Sequence, residues 1–264
     1  MSARAPTWLS TDVLCDIGAP APPPAGALPT LTATVAIGML VVDGPAEAQL
    51  QPSDFLDITA ATLHAFDILY RNAPTSAHLV FLAEQRRTAL PLLPFIVPAP
   101  MPGQISAEQE ESREHIWRDP ALQALGLQPG FSGIDQYRNQ LMTRSWATGP
   151  PQKAIVAVFT KYNTAWFAYA NPTNGRFVLQ LPWAASQVGP NNVDRAIAHE
   201  VSHLFGALDE YQPCSPASSS GPFGTLNGNC VINPFLPQAP CLMSGDSDDM
   251  CVWTKAHVGW QAFP

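Results

Sequence analysis

The chain reads as an α/β protein, a twisted mixed sheet with helices packed on it and a smaller, irregular C-terminal part. Three observations predict this. Short β-branched apolar runs alternate with stretches of helical periodicity over the first 160 residues, as a β-α-β unit requires. A strong turn signal, Asn174-Gly175, separates two further apolar segments. The last sixty residues carry proline, glycine and four of the five cysteines but little periodicity.

In order along the chain, residues 1–30 hold Pro22-Pro23-Pro24 and a Pro/Ala composition, which favours an extended arm over a core element. Residues 31–264 are expected to form one domain, divided into 31–206 and 207–264. Residues 31–42 are expected to form a first buried strand, ended by Asp43-Gly44. Ser53 is read as the cap of a helix over 54–70, where Phe55, Ile58, Leu63, Phe66 and Leu69 recur at helical spacing. A second strand follows near 77–82. Prolines between 91 and 102 interrupt regular structure, and helical patterns resume over 106–125 and 134–146. Residues 153–160 read as a core strand, and 165–170 and 176–181 as the arms of a hairpin. Asn191 or Asn192 is expected to cap a helix running to about Phe205, where Gly206 lets the chain leave it.

Composition excludes some classes of function. The chain has 264 residues, a formal net charge of −8 and only 13 Lys and Arg, so it lacks the clustered positive charge that phosphate binding needs. Nucleic acid is not an expected partner. No run of about 18 apolar residues exists, so no membrane span is expected either. The N-terminus shows no continuous apolar core of a secretory signal.

The chemistry concentrates at Ala198-His199-Glu200-Val201-Ser202-His203-Leu204-Phe205-Gly206-Ala207-Leu208-Asp209-Glu210-Tyr211. On a helix, His199 and His203 are four residues apart and project from one face, so both can bind one ion while Glu200 stands beside it. A catalytic zinc takes three protein ligands and keeps one position for water. Asp209, three residues past Gly206, can supply the third, with Glu210 as its competitor. One zinc would acidify a water and Glu200 would act as general base, which points to hydrolysis without a covalent acyl-enzyme.

The run HExxHxxGxxD, followed downstream by Cys241-Leu242-Met243-Ser244-Gly245, resembles the metzincin zinc endopeptidases. It is similar more narrowly to snapalysin-like and related secreted bacterial and fungal metallopeptidases. Gly206 to Tyr211, Asn227 to Cys230, Cys241 to Met243, Cys251 and Gly259-Trp260 carry that likeness. The resemblance implies a metzincin-like fold, Met243 in a Met-turn beneath the metal, and protein or peptide substrates laid along the 165–181 hairpin. Phe167, Phe177 and Trp183 are residues of that region that could line a cleft. The commoner metzincins carry His at the position of Asp209. Tyr211 is a candidate contact to substrate or transition state, with packing as the plain alternative. The other readings are a narrow-specificity zinc amidohydrolase or aminopeptidase, and a non-catalytic zinc-bearing module. Glu200 argues against the module, which would not need a base.

Cys214, Cys230, Cys241 and Cys251 lack close CxxC pairs, so disulfides are expected over a second zinc. Pairings of Cys214 with Cys230 and Cys241 with Cys251 are favoured among three possible connectivities, and with the resemblance they point to a secreted protein. The absent signal leaves the cytoplasm open. Cys15 is expected to be a free thiol. Asp246, Asp248 and Asp249 could hold Ca2+, although a solvated acidic turn accounts for them as well. His64, His78, His115 and His257 share no metal spacing and are read as surface or packing residues. No pattern in the chain speaks to its oligomeric state.

Overall fold

A computed structural model describes residues 30–91, 107–164, 166–181, 187–211, 220–231, 239–245 and 247–260. The N-terminal arm up to residue 29 with Cys15, the proline-rich stretch over 92–102, Trp183, Cys214 and Asp246 lie outside them.

The fold is α/β. Five strands, β1 (Thr34–Asp43), β2 (Val80–Ala89), β3 (Lys153–Thr160), β4 (Ala168–Asn171) and β5 (Arg176–Gln180), form one sheet in the order β2-β1-β3-β5-β4. β1 pairs parallel with β2 and β3, and β3 pairs parallel with β5, while β4 runs antiparallel to β5. The sheet is therefore mixed, and the antiparallel strand lies at its end.

The central strands are buried on both faces, which explains why 34–43 and 153–160 read as near-continuous apolar runs. Alternation splits each strand between two cores. Val35, Ile37, Met39, Val41, Ile155, Ala157 and Phe159 face helix α1 (Pro52–Asn72) and helix α4 (Val193–Leu204). Ala36, Leu40, Val42, Ala154, Val156 and Val158 face α2 (Ala107–Ala124) and α3 (Phe131–Thr143). Each fully buried Val, Leu, Ile or Phe contributes about 1.5–3 kcal/mol against its exposure in the unfolded chain. Gly38 lets α3 approach the sheet, since a Cβ there would stand 2.6 Å from the Tyr137 ring.

Most elements fall where the sequence places them, with shifted ends. The first helix begins at Pro52 and is capped by Gln51 rather than Ser53, in a reciprocal box with Asp54. β2 extends to Ala89, well past the expected 82, because its charged residues Glu84, Arg86 and Arg87 suit the edge of a sheet and hide its length from an apolar pattern. The third helix starts at Phe131, three residues earlier than its apolar spacing suggested. Asn174-Gly175 does sit in the β4–β5 hairpin, in a short 3-10 turn (Pro172–Asn174) closed by Gly175 at φ 61°.

On the α2–α3 side, Arg118, Arg176 and Glu114 are buried together. Arg176 ion-pairs with Glu114, Tyr169 Oη donates to Glu114 Oε1 at 2.8 Å, and both guanidiniums stack on Phe131. Arg118 also grips Glu111, whose carboxyl it holds below its usual value. The C-terminal segment returns to the start of the sheet, where Leu31 N donates to Val258 O at 2.9 Å and the Trp260 indole N–H donates to Leu31 O. Among the described residues no helix is long and apolar enough to cross a membrane.

Candidate metal centre

Helix α4 carries His199, Glu200 and His203 and packs against α1, β4 and β5. It starts after Asn192 and ends in a Schellman motif, with Ala207 N bonding to Ser202 O and Gly206 N to His203 O. Gly206 is at φ 98°, and a Cβ there would meet Pro222 Cγ at 2.4 Å, so both conformation and space require glycine. Beyond this turn, residues 207–210 belong to no helix or strand.

That turn brings Asp209 back over the helix. Asp209 Oδ1 lies 3.1 Å from His199 Nε2 and 3.2 Å from His203 Nε2, and the two Nε2 atoms are 3.0 Å apart. His199 Nδ1 is 3.1 Å from Leu242 O and His203 Nδ1 is 2.8 Å from Ala207 O. A carbonyl only accepts, so each Nδ1 carries a proton, and in its neutral form each ring turns the Nε2 lone pair to the common centre. Three donors on a tetrahedral shell of about 2.0–2.1 Å radius would stand roughly 3.3 Å apart. The measured separations are close to that, and the N, N, O donor set suits zinc.

The electrostatics agree. Burial would raise the Asp209 carboxyl, but His203 and His199 outweigh it and hold it well below the usual carboxylate range. Burial opposes a charge on His203, yet Asp209 pushes its pKa up to about 9. The arrangement thus favours a positive charge at its centre. Glu200 is buried, which raises its carboxyl, and its Oε2 has no hydrogen-bond partner among the described residues. A buried carboxylate without a partner at that oxygen, coupled to His199, His203 and Asp209, fits a base for a metal-bound water.

The chain after α4 places the other expected residues. Leu242–Ser244 forms a 3-10 turn ended by Gly245 at φ 78°, and Met243 is completely buried in the same core as Ala198 and Val201. The Tyr211 ring is 5.6 Å from the His199 ring and packs over Gly245. Its phenol is raised by burial and by the Asp209 and Glu200 carboxylates, and the side chain is about half exposed. Phe177 is a core residue, while Phe167 is partly buried beside the half-exposed Trp166.

Other expectations change. Glu210 does not turn to the histidines; its carboxylate is buried against Cys251, Thr254 and Asn229. Cys241 and Cys251 lie side by side as buried thiols rather than as the favoured disulfide, with the Cys251 N–H 3.3 Å from Cys241 Sγ. The Cys251 thiol donates to Glu210, and it is pushed up by Cys241 and by burial. Cys230 is disulfide-bonded, and the favoured partner Cys214 lies outside the described residues. Asp248 pairs with Arg195 at 2.8 Å, and neither it nor Asp249 joins a metal-compatible cluster among the described residues, so the Ca2+ expectation finds no support. His257 is fully buried and held neutral.

Sequence reasoning passed over Arg195, one turn before His199, whose guanidinium also reaches Gly245 O at 3.4 Å. It also passed over Asn72, which bonds to Asp248 O and Met250 N and so ties α1 to the loop after Met243. Both look like ordinary surface helix residues until the loop is placed beside them.

No protein-family model matches the chain, and no curated protein matches it. Among solved structures, the chain is similar to a zinc-dependent peptidase from Methanocorpusculum labreanum at 12% identity and a TM-score of 0.39, over 84% of this chain and 100% of the other. It is also similar to archaemetzincin from Methanopyrus kandleri at 11% identity and a TM-score of 0.36, over 85% and 93%. Likeness this distant carries no inference about activity.

Proposed function

We propose that the chain is a zinc-dependent endopeptidase that hydrolyses peptide bonds with a metal-activated water and Glu200 as general base. The observation that carries this reading is the convergence of His199, His203 and Asp209 on one point, with the orphan Glu200 Oε2 beside them. His199 Nε2, His203 Nε2 and an Asp209 oxygen would hold the ion. Zinc held there would supply a Lewis acid able to polarise the scissile carbonyl and acidify a water. Glu200 takes the proton from that water and delivers it to the leaving amine. Its burial favours the protonated carboxyl it needs for the second transfer, while the imidazoles favour the carboxylate it needs for the first.

Tyr211, beside His199 with its phenol kept protonated, is the proposed hydrogen-bond donor to the developing oxyanion. The β4–β5 hairpin packs on α4 and is the proposed seat of the peptide. Met243, buried behind the helix, is the proposed floor of the centre. The Cys230 disulfide supports, as part of this proposal, an oxidising and hence secreted location.

The test is metal content by mass spectrometry on the purified chain and on His203→Ala, beside casein cleavage by wild type and Glu200→Gln. One zinc per chain, lost in His203→Ala, with cleavage abolished in zinc-loaded Glu200→Gln, is the expected result. A chain that takes up no zinc sinks the proposal. A chain that keeps zinc and cleaves aminoacyl anilides but not casein would be an aminopeptidase instead.

A further inference from the structure

The two histidines owe their positions to helical spacing, but Asp209 lies on a stretch with no regular structure and its side chain is about half exposed. Something else must hold it. Its neighbour Glu210 is completely buried, and an ionised carboxylate there is tolerable only if hydrogen-bonded. Thr254 Oγ1 donates to Glu210 Oε1 at 2.7 Å, Cys251 Sγ donates at 3.2 Å, and Asn229 Nδ2 donates to Oε2. Thr254 and Cys251 belong to helix α6 (Val252–His257) and its cap, and Asn229 to the short helix α5 (Gly228–Val231). The Glu210 N–H also donates to Met243 O at 3.0 Å. Across the same peptide bond, Asn227 Nδ2 donates to Asp209 O at 3.0 Å. The peptide bond that joins Asp209 to Glu210 is thereby held at both its carbonyl and its N–H, and the stronger clamp is the buried Glu210 carboxylate with its donors Thr254, Cys251 and Asn229.

We infer that Glu210 is the positioning residue for the third metal ligand: its buried carboxylate, anchored by Thr254, Cys251 and Asn229, fixes the backbone so that Asp209 meets His199 and His203. This rests on the zinc reading above. Without the anchor, Asp209 would have to be ordered by the ion itself, at the expense of affinity.

The experiment measures zinc affinity by competition with a chromogenic chelator, together with kcat and KM, in wild type, Glu210→Gln, Thr254→Val, Thr254→Ser and His203→Ala. Glu210→Gln turns an acceptor into a donor facing three donors, and Thr254→Val removes a hydroxyl at constant shape. Both are expected to weaken zinc binding about 10- to 100-fold, and to lower kcat at saturating zinc with KM unchanged. Thr254→Ser keeps the hydroxyl and is expected to retain wild-type affinity. Wild-type zinc affinity and kcat in Glu210→Gln and Thr254→Val, with only a lower unfolding midpoint, would overturn the inference while leaving the zinc reading intact. If Glu210→Gln does not fold, the Thr254 pair decides. Absence of zinc from the wild type would overturn both.

Discussion

His199 Nδ1 lies 3.1 Å from the carbonyl oxygen of Leu242, so the first histidine of the helix is oriented by the residue immediately before Met243. The loop that carries Met243 thus reaches the proposed metal centre through its backbone, and the buried Met243 side chain packs that loop into the core. Met243 is wholly buried. Met243→Leu, which nearly conserves volume, is expected to cost under about 1.5 kcal/mol and to keep zinc. Met243→Ala is expected to cost about 2–5 kcal/mol and to loosen zinc as the Leu242 carbonyl shifts. Urea denaturation with chelator competition reads both, and equal zinc affinity in the two variants would refute the link.

Gly206→Ala tests the turn that delivers Asp209. A residue with a side chain at φ 98° costs about 1–3 kcal/mol, and its Cβ would also press on Pro222. Zinc binding should fall together with stability. An alanine variant with wild-type zinc affinity would show that Asp209 can arrive by another path.

Glu114 lies on the opposite side of the sheet from the proposed metal centre, among Arg118, Arg176 and Tyr169. Removing it strands buried positive charge, so Glu114→Ala is expected to cost about 3–5 kcal/mol in chemical denaturation. Activity per folded, zinc-loaded molecule should stay at the wild-type level. A loss below about 1 kcal/mol would show that the cluster relaxes or admits water.

Acid should weaken the fold through His257. Its ring is buried against Gly221, Nε2 donates to Thr225 O at 3.3 Å, Nδ1 has no partner among the described residues, and burial lowers its pKa to about 4. The unfolded chain takes up a proton near pH 6.5 that the folded chain refuses until about pH 4. Stability is therefore undiminished by this group above about pH 6.5 and declines as pH falls towards 4, by on the order of 3 kcal/mol. In His257→Gln the slope of stability against pH across that window should flatten. An unchanged slope would assign acid sensitivity to other groups.

Much of this was legible in the sequence. The limits of β3 and the β4–β5 turn follow from apolar runs and from Asn174-Gly175, because buried strands and tight turns restrict residue type locally. β2 was under-read because Glu84, Arg86 and Arg87 are compatible with a sheet edge but carry no period that announces it. The Cys241–Cys251 pairing was read as a disulfide from composition, since nothing local signals that Glu210 and Thr254 give both thiols a hydrogen-bonded site.

What the sequence by itself determined is the pair His199 and His203 with Glu200 between them, because a helix of 3.6 residues per turn places i and i+4 on one face whatever surrounds it. What only the tertiary structure decided is the choice between Asp209 and Glu210. The two carboxylates are adjacent on an irregular stretch, and spacing cannot separate them. They part because Asn229, Cys251 and Thr254, from 19 to 44 residues downstream, offer Glu210 a buried set of donors, which leaves Asp209 to face the imidazoles. Local periodicity fixes what lies on one helix; long-range hydrogen bonding fixes which of two neighbours turns towards it.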